Sequence, residues 1–128
     1  MSTPESVEPA LPRNFLRPCI LLLLREQPAH GYDLLERLRP LGFVRDDPGR
    51  LYRALRSLEA ERLVRSAWEG SDSGPDRRVY EVTRAGMEEL HNQSHGIAES
   101  AKTLERFLSR YSEFVALGSS RERARAAS

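Results

Sequence analysis

Arginine recurs in one short stretch of the chain, where Arg50, Arg53 and Arg56 follow one another at intervals of three residues. Intervals of three or four residues place side chains on the same side of a helix. A guanidinium group offers a planar set of donors that fits a phosphate or the major-groove edge of guanine. The row therefore indicates nucleic-acid recognition, and the alternative is a solvated helix face that binds nothing.

Two further polar side chains belong to the same predicted helix: Ser57 lies on the side of Arg53 and Arg56, whereas Tyr52, like Arg50, flanks that side. Ser57 carries a hydroxyl group that can bond to DNA. The phenol of Tyr52 has two interpretations, because it donates to a phosphate or its ring packs against a neighbouring strand. We include both residues in the predicted DNA-binding set.

The charge of the whole chain does not point to a nucleic-acid partner. Lys and Arg together number 20 and Asp and Glu 19, which gives a net charge of +1. Residues 37–65, however, carry eight arginines against four carboxylates, a local charge of +4, while residues 85–117 carry −2. Lys102 is the single lysine of the chain. The arginine excess fits phosphate and guanine recognition, or alternatively a codon bias.

Length and composition exclude several classes of protein. A chain of 128 residues has room for one hydrophobic core, which excludes a multidomain enzyme. The single cysteine, Cys19, forms no internal disulfide and lies in an apolar run that is too short to cross a bilayer. With no phosphate loop, nucleophile elbow or secretion signal, we expect a cytoplasmic protein that is not an enzyme and binds no cofactor.

Histidines and glutamates at helical spacing raise the possibility of a metal site. Glu88, His91, His95 and Glu99 recur at intervals of three and four residues. Imidazole and carboxylate are metal ligands, but a single helix without a ligand from a second element makes no closed site. We interpret these residues as a solvated polar face and predict no metal site.

Three helices are predicted in the first half of the chain. Residues 1–13 contain three prolines and no periodicity, which predicts a flexible arm. The first helix begins at Asn14 as N-cap, and the second covers residues 31–38, where Tyr32, Leu35 and Leu38 recur at helical spacing. The third helix has Asp47 as N-cap and Pro48 at its first position, and it turns its leucines inward, since Leu51, Leu55 and Leu58 share one face, and its arginines outward.

A β-hairpin follows the third helix. Residues 63–69 and 78–83 have strand composition and bracket the turn-rich segment 70–76. Arg77 and Arg78 open the return strand, where we predict phosphate or minor-groove contacts. The alternative is that they pair with Asp72 or Asp76.

The last helix is predicted to start at the cap Thr83 and to end near Leu117, followed by a disordered tail at residues 118–128. Its final turns carry an apolar stripe that a lone helix does not leave in water, which predicts dimerisation. Three aromatic residues of this stripe, Phe107, Tyr111 and Phe114, are alternatively an effector site. The predicted dimer residues are Leu104, Phe107, Leu108, Tyr111, Phe114 and Val115.

The predicted order of helix, helix, arginine-rich helix, hairpin and long helix is typical of a winged helix-turn-helix fold in the mainly α (α+β) class, with a C-terminal dimerisation helix. Segments 21–38 (LLLLREQPAHGYDLLERL), 49–61 (GRLYRALRSLEAE) and 74–86 (GPDRRVYEVTRAG) resemble the PadR-like transcriptional regulators. Arg50 and Arg53 stand where that family commonly has threonine and proline. Arg62 stands where it usually has a glycine that closes the helix.

The resemblance implies a winged helix-turn-helix domain at residues 14–83, a dimerisation helix at 84–117 and the short C-terminal subgroup of the family. It also implies a bacterial homodimeric repressor that binds a pseudo-palindromic operator in double-stranded DNA and is relieved by a small aromatic or nucleotide-like effector. The alternative function is a winged-helix module that binds proteins and not DNA.

Overall fold

The computed structural model describes residues 11–43, 47–70, 74 and 77–127. A three-helix domain with a small sheet is followed by one long helix, which confirms the predicted mainly helical winged helix-turn-helix class. The chain divides into two compact units, Met1–Asn92 and Gln93–Ser128. The elements in chain order are α1 (Leu16–Glu26), β1 (Ala29–His30), α2 (Gly31–Leu38), a 3-10 turn (Arg39–Leu41), α3 (Pro48–Ala60), β2 (Val64–Glu69), β3 (Arg77–Val82) and α4 (Arg84–Ala127).

Leucine-rich faces of the first three helices meet in one core. Leu21, Leu34 and Leu55 have no exposed surface, and Val64 of β2 and Tyr80 of β3 close the core from the sheet. Burial of each such side chain contributes about 1.5–3 kcal/mol. This core fixes the orientation of α3 and thereby decides which of its side chains face solvent.

The start of α1 differs from the prediction. The helix begins at Leu16, and Asn14 has a φ of 59°, so it is not the N-cap. The Phe15 amide donates to the carbonyl of Pro12 over 3.1 Å, which makes a turn in place of a cap. Asparagine tolerates the left-handed conformation that this turn requires. Most of the predicted flexible arm lies outside the described residues.

The bounds of α2 agree with the prediction, and its burial shows which of its side chains pack on the core. Leu34 and Leu38 are buried, whereas Tyr32 is 70% exposed. Arg37 bonds to the carbonyls of Leu23 and Gln27, so its side chain covers the C-terminal end of α1. Tyr32 therefore belongs to the surface of the domain and not to its core.

Both ends of α3 are closed by local hydrogen bonds. The Arg50 amide donates to Oδ1 of Asp47 over 3.0 Å, which confirms the predicted cap with Pro48 in the first turn. At the other end, the Leu63 amide donates to the carbonyl of Leu58 over 2.9 Å. This is a Schellman turn, and its left-handed position is held by Arg62 with a φ of 62°.

The predicted hairpin is present and gains a third strand. β2 pairs with β3 in antiparallel register, with Trp68 opposite Arg78 and Glu69 opposite Arg77. The sequence analysis missed β1, in which His30 lies opposite Val79, so the strand order is β1-β3-β2. Two residues are too few for a periodic pattern to reveal a strand.

The N-terminal end of α4 is capped as predicted, but the helix is longer than expected. Thr83 Oγ1 accepts a bond from the Gly86 amide over 3.0 Å. The helix passes Leu117 and ends at Ala127, so the predicted disordered tail at residues 118–128 is wrong for all but its last residue, which lies outside the described part. Residues 121–127 are arginine, glutamate and alanine, which are strong helix formers.

Candidate nucleic-acid interface

The outward face of α3 carries the predicted arginine row. Leu51, Leu55 and Leu58 are at most 1% exposed, so the opposite side of the helix faces solvent. Arg50, Arg53 and Arg56 are all exposed there. The fold thus brings the three guanidinium groups onto one accessible helix surface.

The side chains of Arg50 and Arg53 each lie beside residues near the start of α3. The Arg50 guanidinium carbon lies 5.8 Å from the centroid of the Phe43 ring, and that ring stacks on Phe15 at 6.1 Å. Arg53 Nη1 lies 3.2 Å from the position that a Cβ on Gly49 would take. Both side chains therefore lie close to the N-terminal part of α3, the part of a recognition helix that contacts base edges.

Ser57, the predicted hydroxyl donor, is tied to α1. Arg17 Nη1 donates to Ser57 Oγ over 3.1 Å, and Arg17 Nη2 donates to Glu61 Oε2 over 2.6 Å. The Ser57 hydroxyl itself donates to Glu61 over 3.2 Å. The bond from Arg17 is the largest cause that lowers the pKa of the Glu61 carboxyl. Sequence reasoning missed Arg17, which attaches α1 to the C-terminal part of α3.

Tyr52 lies against the start of α2. A Cβ on Gly31 would stand 2.7 Å from the Tyr52 hydroxyl and from its ring. Its side chain is nevertheless 37% exposed. The ring therefore packs on α2, and Tyr52 lines the pocket that this helix shares with the hairpin.

The hairpin, or wing, presents its own cationic surface. The Arg78 guanidinium carbon lies 5.0 Å from the centroid of the Trp68 ring, and Arg77 is exposed at the start of β3. Cation–π contacts of this kind contribute about 0.5–1 kcal/mol at exposed sites. The alternative partners Asp72 and Asp76 lie outside the described residues.

A pocket of about 560 Å³ lies where α2, α3 and β3 meet, and we call it the wing pocket. Its lining combines Tyr52 and the two arginines of β3, which were predicted to bind DNA, with His30, Tyr32 and Tyr80, which were not assigned to any site. The sequence signal for the first two of these was the segment His30-Gly31-Tyr32 at the start of α2. The lining residues are His30, Gly31, Tyr32, Tyr52, Arg77, Arg78 and Tyr80.

Two of these lining residues carry a proton that can donate a hydrogen bond. His30 Nδ1 lies 3.2 Å from the carbonyl oxygen of Arg78, and since a carbonyl only accepts, Nδ1 carries the proton. Burial is the largest cause that raises the pKa of the Tyr80 phenol. Tyr80 therefore remains a protonated hydrogen-bond donor at neutral pH.

The predicted dimer stripe is exposed on the second unit. Phe107 is 66% exposed and Phe114 72%, and the Phe107 and Tyr111 rings stack at 6.4 Å. A groove beside them is lined by Phe107, Tyr111 and Phe114 together with Arg106 and Arg110. Leu104, Leu108 and Val115 are exposed along the same helix.

The described residues show no other reactive or metal-binding cluster. Cys19 is buried in the core, and burial raises the pKa of its thiol to about 11. Within the described ranges, no three His, Cys, Asp or Glu side chains come close enough to hold a metal ion. In the same part of the chain, no helix is both long and apolar enough to cross a membrane.

Known families and structures share this arrangement. The model of the transcriptional regulator PadR-like family matches residues 20–92, more than half of the chain. A PadR-like regulator from Bacillus cereus has a TM-score of 0.65 at 28% identity, over 73% of this chain and 90% of that one. A PadR family regulator from Eggerthella lenta has a TM-score of 0.60 at 32% identity, over 72% and 82%.

Two further matches cover a smaller share of this chain. Bacillus subtilis PadR, solved in complex with operator DNA, has a TM-score of 0.57 at 27% identity, over 64% of this chain and 48% of that one. An uncharacterized 37.1 kDa protein in transposon TN4556 of Streptomyces fradiae is 35% identical over 79 residues, which is 62% of this chain. The chain spans 22% of the length of that protein.

Proposed function

The chain belongs to the PadR-like family of transcriptional regulators, and from this premise we propose that it binds a specific double-stranded operator as a homodimeric repressor. The observation that carries the proposal is the exposed row of Arg50, Arg53 and Arg56 on the third helix of a winged helix-turn-helix domain. In this fold the corresponding helix enters the major groove. Bacillus subtilis PadR, solved with operator DNA, supports the assignment.

The proposed roles of the residues follow from their placement. Arg50, Arg53 and Arg56 contact guanine edges or phosphates in the major groove. Arg77 and Arg78 of the wing contact neighbouring backbone or the minor groove. Tyr52 donates to a phosphate from the wing pocket, whereas Ser57 contributes through its bonds to Arg17 and Glu61, which hold α3 on α1.

The proposed homodimer forms through the exposed stripe of α4. Large exposed apolar surfaces on small proteins mark interaction sites. In the proposed homodimer, the stripe of one chain packs against the same stripe of the second chain. This is the usual two-fold symmetry of a dimer. Two recognition helices then read two half-sites about one helical turn apart, so the operator is pseudo-palindromic.

Relief by a small effector completes the proposal. We place the effector at the dimer interface, where the groove lined by Phe107, Tyr111 and Phe114 offers aromatic surface and Arg106 and Arg110 offer positive charge. Such a combination binds an aromatic ligand with a negative group. The effector is tested by adding aromatic acids to the protein bound to operator DNA and measuring release.

The DNA assignment is tested on the region upstream of the gene. We expect the double variant Arg53→Ala with Arg56→Ala to lower affinity by at least about tenfold, because each good arginine–base contact contributes about 1–3 kcal/mol. Fluorescence anisotropy with labelled duplex DNA measures this at several salt concentrations. A plot of log affinity against log salt concentration falls, and each lost phosphate contact makes this slope shallower by about 0.9.

A double variant with the same charge change serves as the control. Arg121→Ala with Arg123→Ala removes two exposed arginines from the end of α4 and leaves the wing domain intact. We expect it to bind the duplex like the original protein. Equal affinity of all three proteins would contradict the recognition-helix assignment and favour the alternative, a winged-helix module that binds proteins.

A further inference from the structure

The wing pocket is a second concave feature beside the arginine row of α3. Its volume of about 560 Å³ lies within the range of small-molecule sites, about 300–1,000 Å³. Buried Gly31 and Tyr80 form the floor, and Tyr32, Arg77 and Arg78 are exposed at the rim. The pocket is therefore accessible from solvent at its cationic side.

The lining of the wing pocket has the chemistry of an anion site. It contains two guanidinium groups, three phenols and one imidazole, and its described lining residues include no carboxylate. Guanidinium forks and phenol hydroxyls donate hydrogen bonds to phosphate oxygens. The flat rings of Tyr32 and Tyr52 add surfaces on which a base or sugar can pack.

The backbone at the start of α2 adds to this preference. Gly31 is the first residue of α2, and the preceding His30 makes no side-chain cap bond. Amide groups in the first turn of a helix have no partner within the helix and favour a nearby negative charge. Because Gly31 has no Cβ, the Tyr52 ring occupies the space beside it and lines the pocket.

From these features we propose that the wing pocket binds a free nucleotide through its phosphate group. This ligand competes with the operator phosphate that the proposed function assigns to Tyr52 and Arg77, but its binding does not depend on that function. A free nucleotide would lie between Tyr52 of α3 and Arg77 of the wing, and so would act at the DNA-binding surface itself.

Trp68 provides a direct readout for the test. It is the single tryptophan of the chain, and its ring lies 5.0 Å from the Arg78 guanidinium carbon at the rim. A phosphate that binds Arg78 changes the surroundings of this ring and therefore its fluorescence. The full chain is titrated with adenosine monophosphate, with adenosine and with inorganic phosphate, and operator affinity is measured by anisotropy.

We expect adenosine monophosphate to change Trp68 emission saturably and adenosine to have no effect over the same range. Arg77→Gln should weaken the monophosphate by about tenfold, the effect of one lost charged bond of about 1.4 kcal/mol. Tyr32→Phe removes one hydroxyl from an exposed ring and should weaken it less. Arg121→Gln, a matched change at the end of α4, should leave the titration unchanged.

The outcomes separate this proposal from the proposed function. Saturable binding of the monophosphate, in competition with operator DNA, supports the free nucleotide as a ligand. Weaker operator binding in Arg77→Gln without any monophosphate response would contradict the proposal and leave only the operator contact already proposed for Arg77. If both variants match the original protein in all these measurements, the wing pocket binds no phosphate. If the original protein binds no DNA, the proposed function fails, and the monophosphate titration still decides the pocket.

Discussion

At the scale of single residues, Arg62 adopts a backbone conformation that is unfavourable for any residue with a side chain. Its φ of 62° is left-handed, and the Schellman turn after α3 requires it there. A non-glycine residue in this region costs about 1–2 kcal/mol. We expect Arg62→Gly to raise the free energy of unfolding by about 1 kcal/mol, measured by urea denaturation.

The matched control places the same substitution inside the helix. Arg56 lies in the middle of α3 with helical backbone, so Arg56→Gly should lower the free energy of unfolding by about 1 kcal/mol. Opposite signs for the two variants establish that the turn, and not the loss of a charge, sets the effect. A loss of stability in Arg62→Gly would contradict the left-handed turn.

Cys19 makes stability depend on alkaline pH. Burial raises the pKa of its thiol from 9.0 to about 11, so the folded protein holds the proton more tightly than the unfolded chain does. The contribution of the thiol to stability is therefore complete below pH 9.0 and is lost as the pH rises toward about 11. Between these values the original protein should lose more stability than Cys19→Ala, as measured by urea denaturation.

Alkylation of Cys19 tests whether its thiol is buried, and it needs no substitution. The thiolate is the reactive form, and a buried thiol of raised pKa supplies little of it. Iodoacetamide at neutral pH should modify Cys19 in the urea-unfolded chain and not in the native protein. Rapid modification of the native protein would place the thiol outside the core.

Individual residues also show what the sequence made predictable. The exposed arginines of α3 were predictable because the leucines at 51, 55 and 58 fix the inward face of the helix. The pocket lining by His30 and Tyr80 was not, because β1, a strand of two residues, brings His30 beside β3. The bond of His30 to the carbonyl of Arg78 joins residues 48 positions apart and leaves no local pattern.

At the scale of elements, the junction between the wing and α4 depends on Gly86. A Cβ at this position would stand 2.1 Å from the carbonyl oxygen of Leu63 and 2.7 Å from a methyl group of Val82. The same carbonyl accepts the Thr83 amide over 3.0 Å, so it has little room to move. We expect Gly86→Ala to lower the free energy of unfolding by about 3 kcal/mol, measured by urea denaturation.

A second glycine of the same helix gives the control. Nothing outside the helix lies within 4 Å of a Cβ built on Gly96. Alanine favours a helix interior over glycine by about 1 kcal/mol, so Gly96→Ala should stabilise the protein by up to that amount. Similar effects of the two substitutions would show that propensity, and not close packing at Gly86, decides both.

Element boundaries were predictable where a cap marks them. Asp47 and Thr83 each accept the amide that a cap should accept, and both were read from the sequence. The end of α4 was not predictable from the apolar pattern, because that pattern stops near Leu117 while the helix continues to Ala127. Beyond Leu117, the helix forms because its residues have a high intrinsic helix propensity, and not because they bury an apolar face.

At the scale of the whole molecule, the order of the four helices and the hairpin was predictable, and the state of assembly remains a prediction. Helix periodicity, two caps and a turn-rich hairpin suffice for the winged helix-turn-helix class. A second copy of the chain leaves only an indirect mark in one sequence, the apolar stripe. Phe107, Tyr111 and Phe114 are each more than half exposed in the single chain.

A dimer in solution is the last prediction, and it follows from this stripe. Light scattering should give twice the mass of one chain at micromolar concentration. Phe107→Glu places a charge on the proposed interface and should shift the mass toward one chain, because an unpaired buried charge is costly. It should also weaken binding to a full operator more than to a single half-site, since the second half-site is then engaged independently.

Ser100→Glu adds the same charge to an exposed polar part of α4 and should leave mass and binding unchanged. A single-chain mass for the original protein would contradict the dimer, and the stripe would then need another partner.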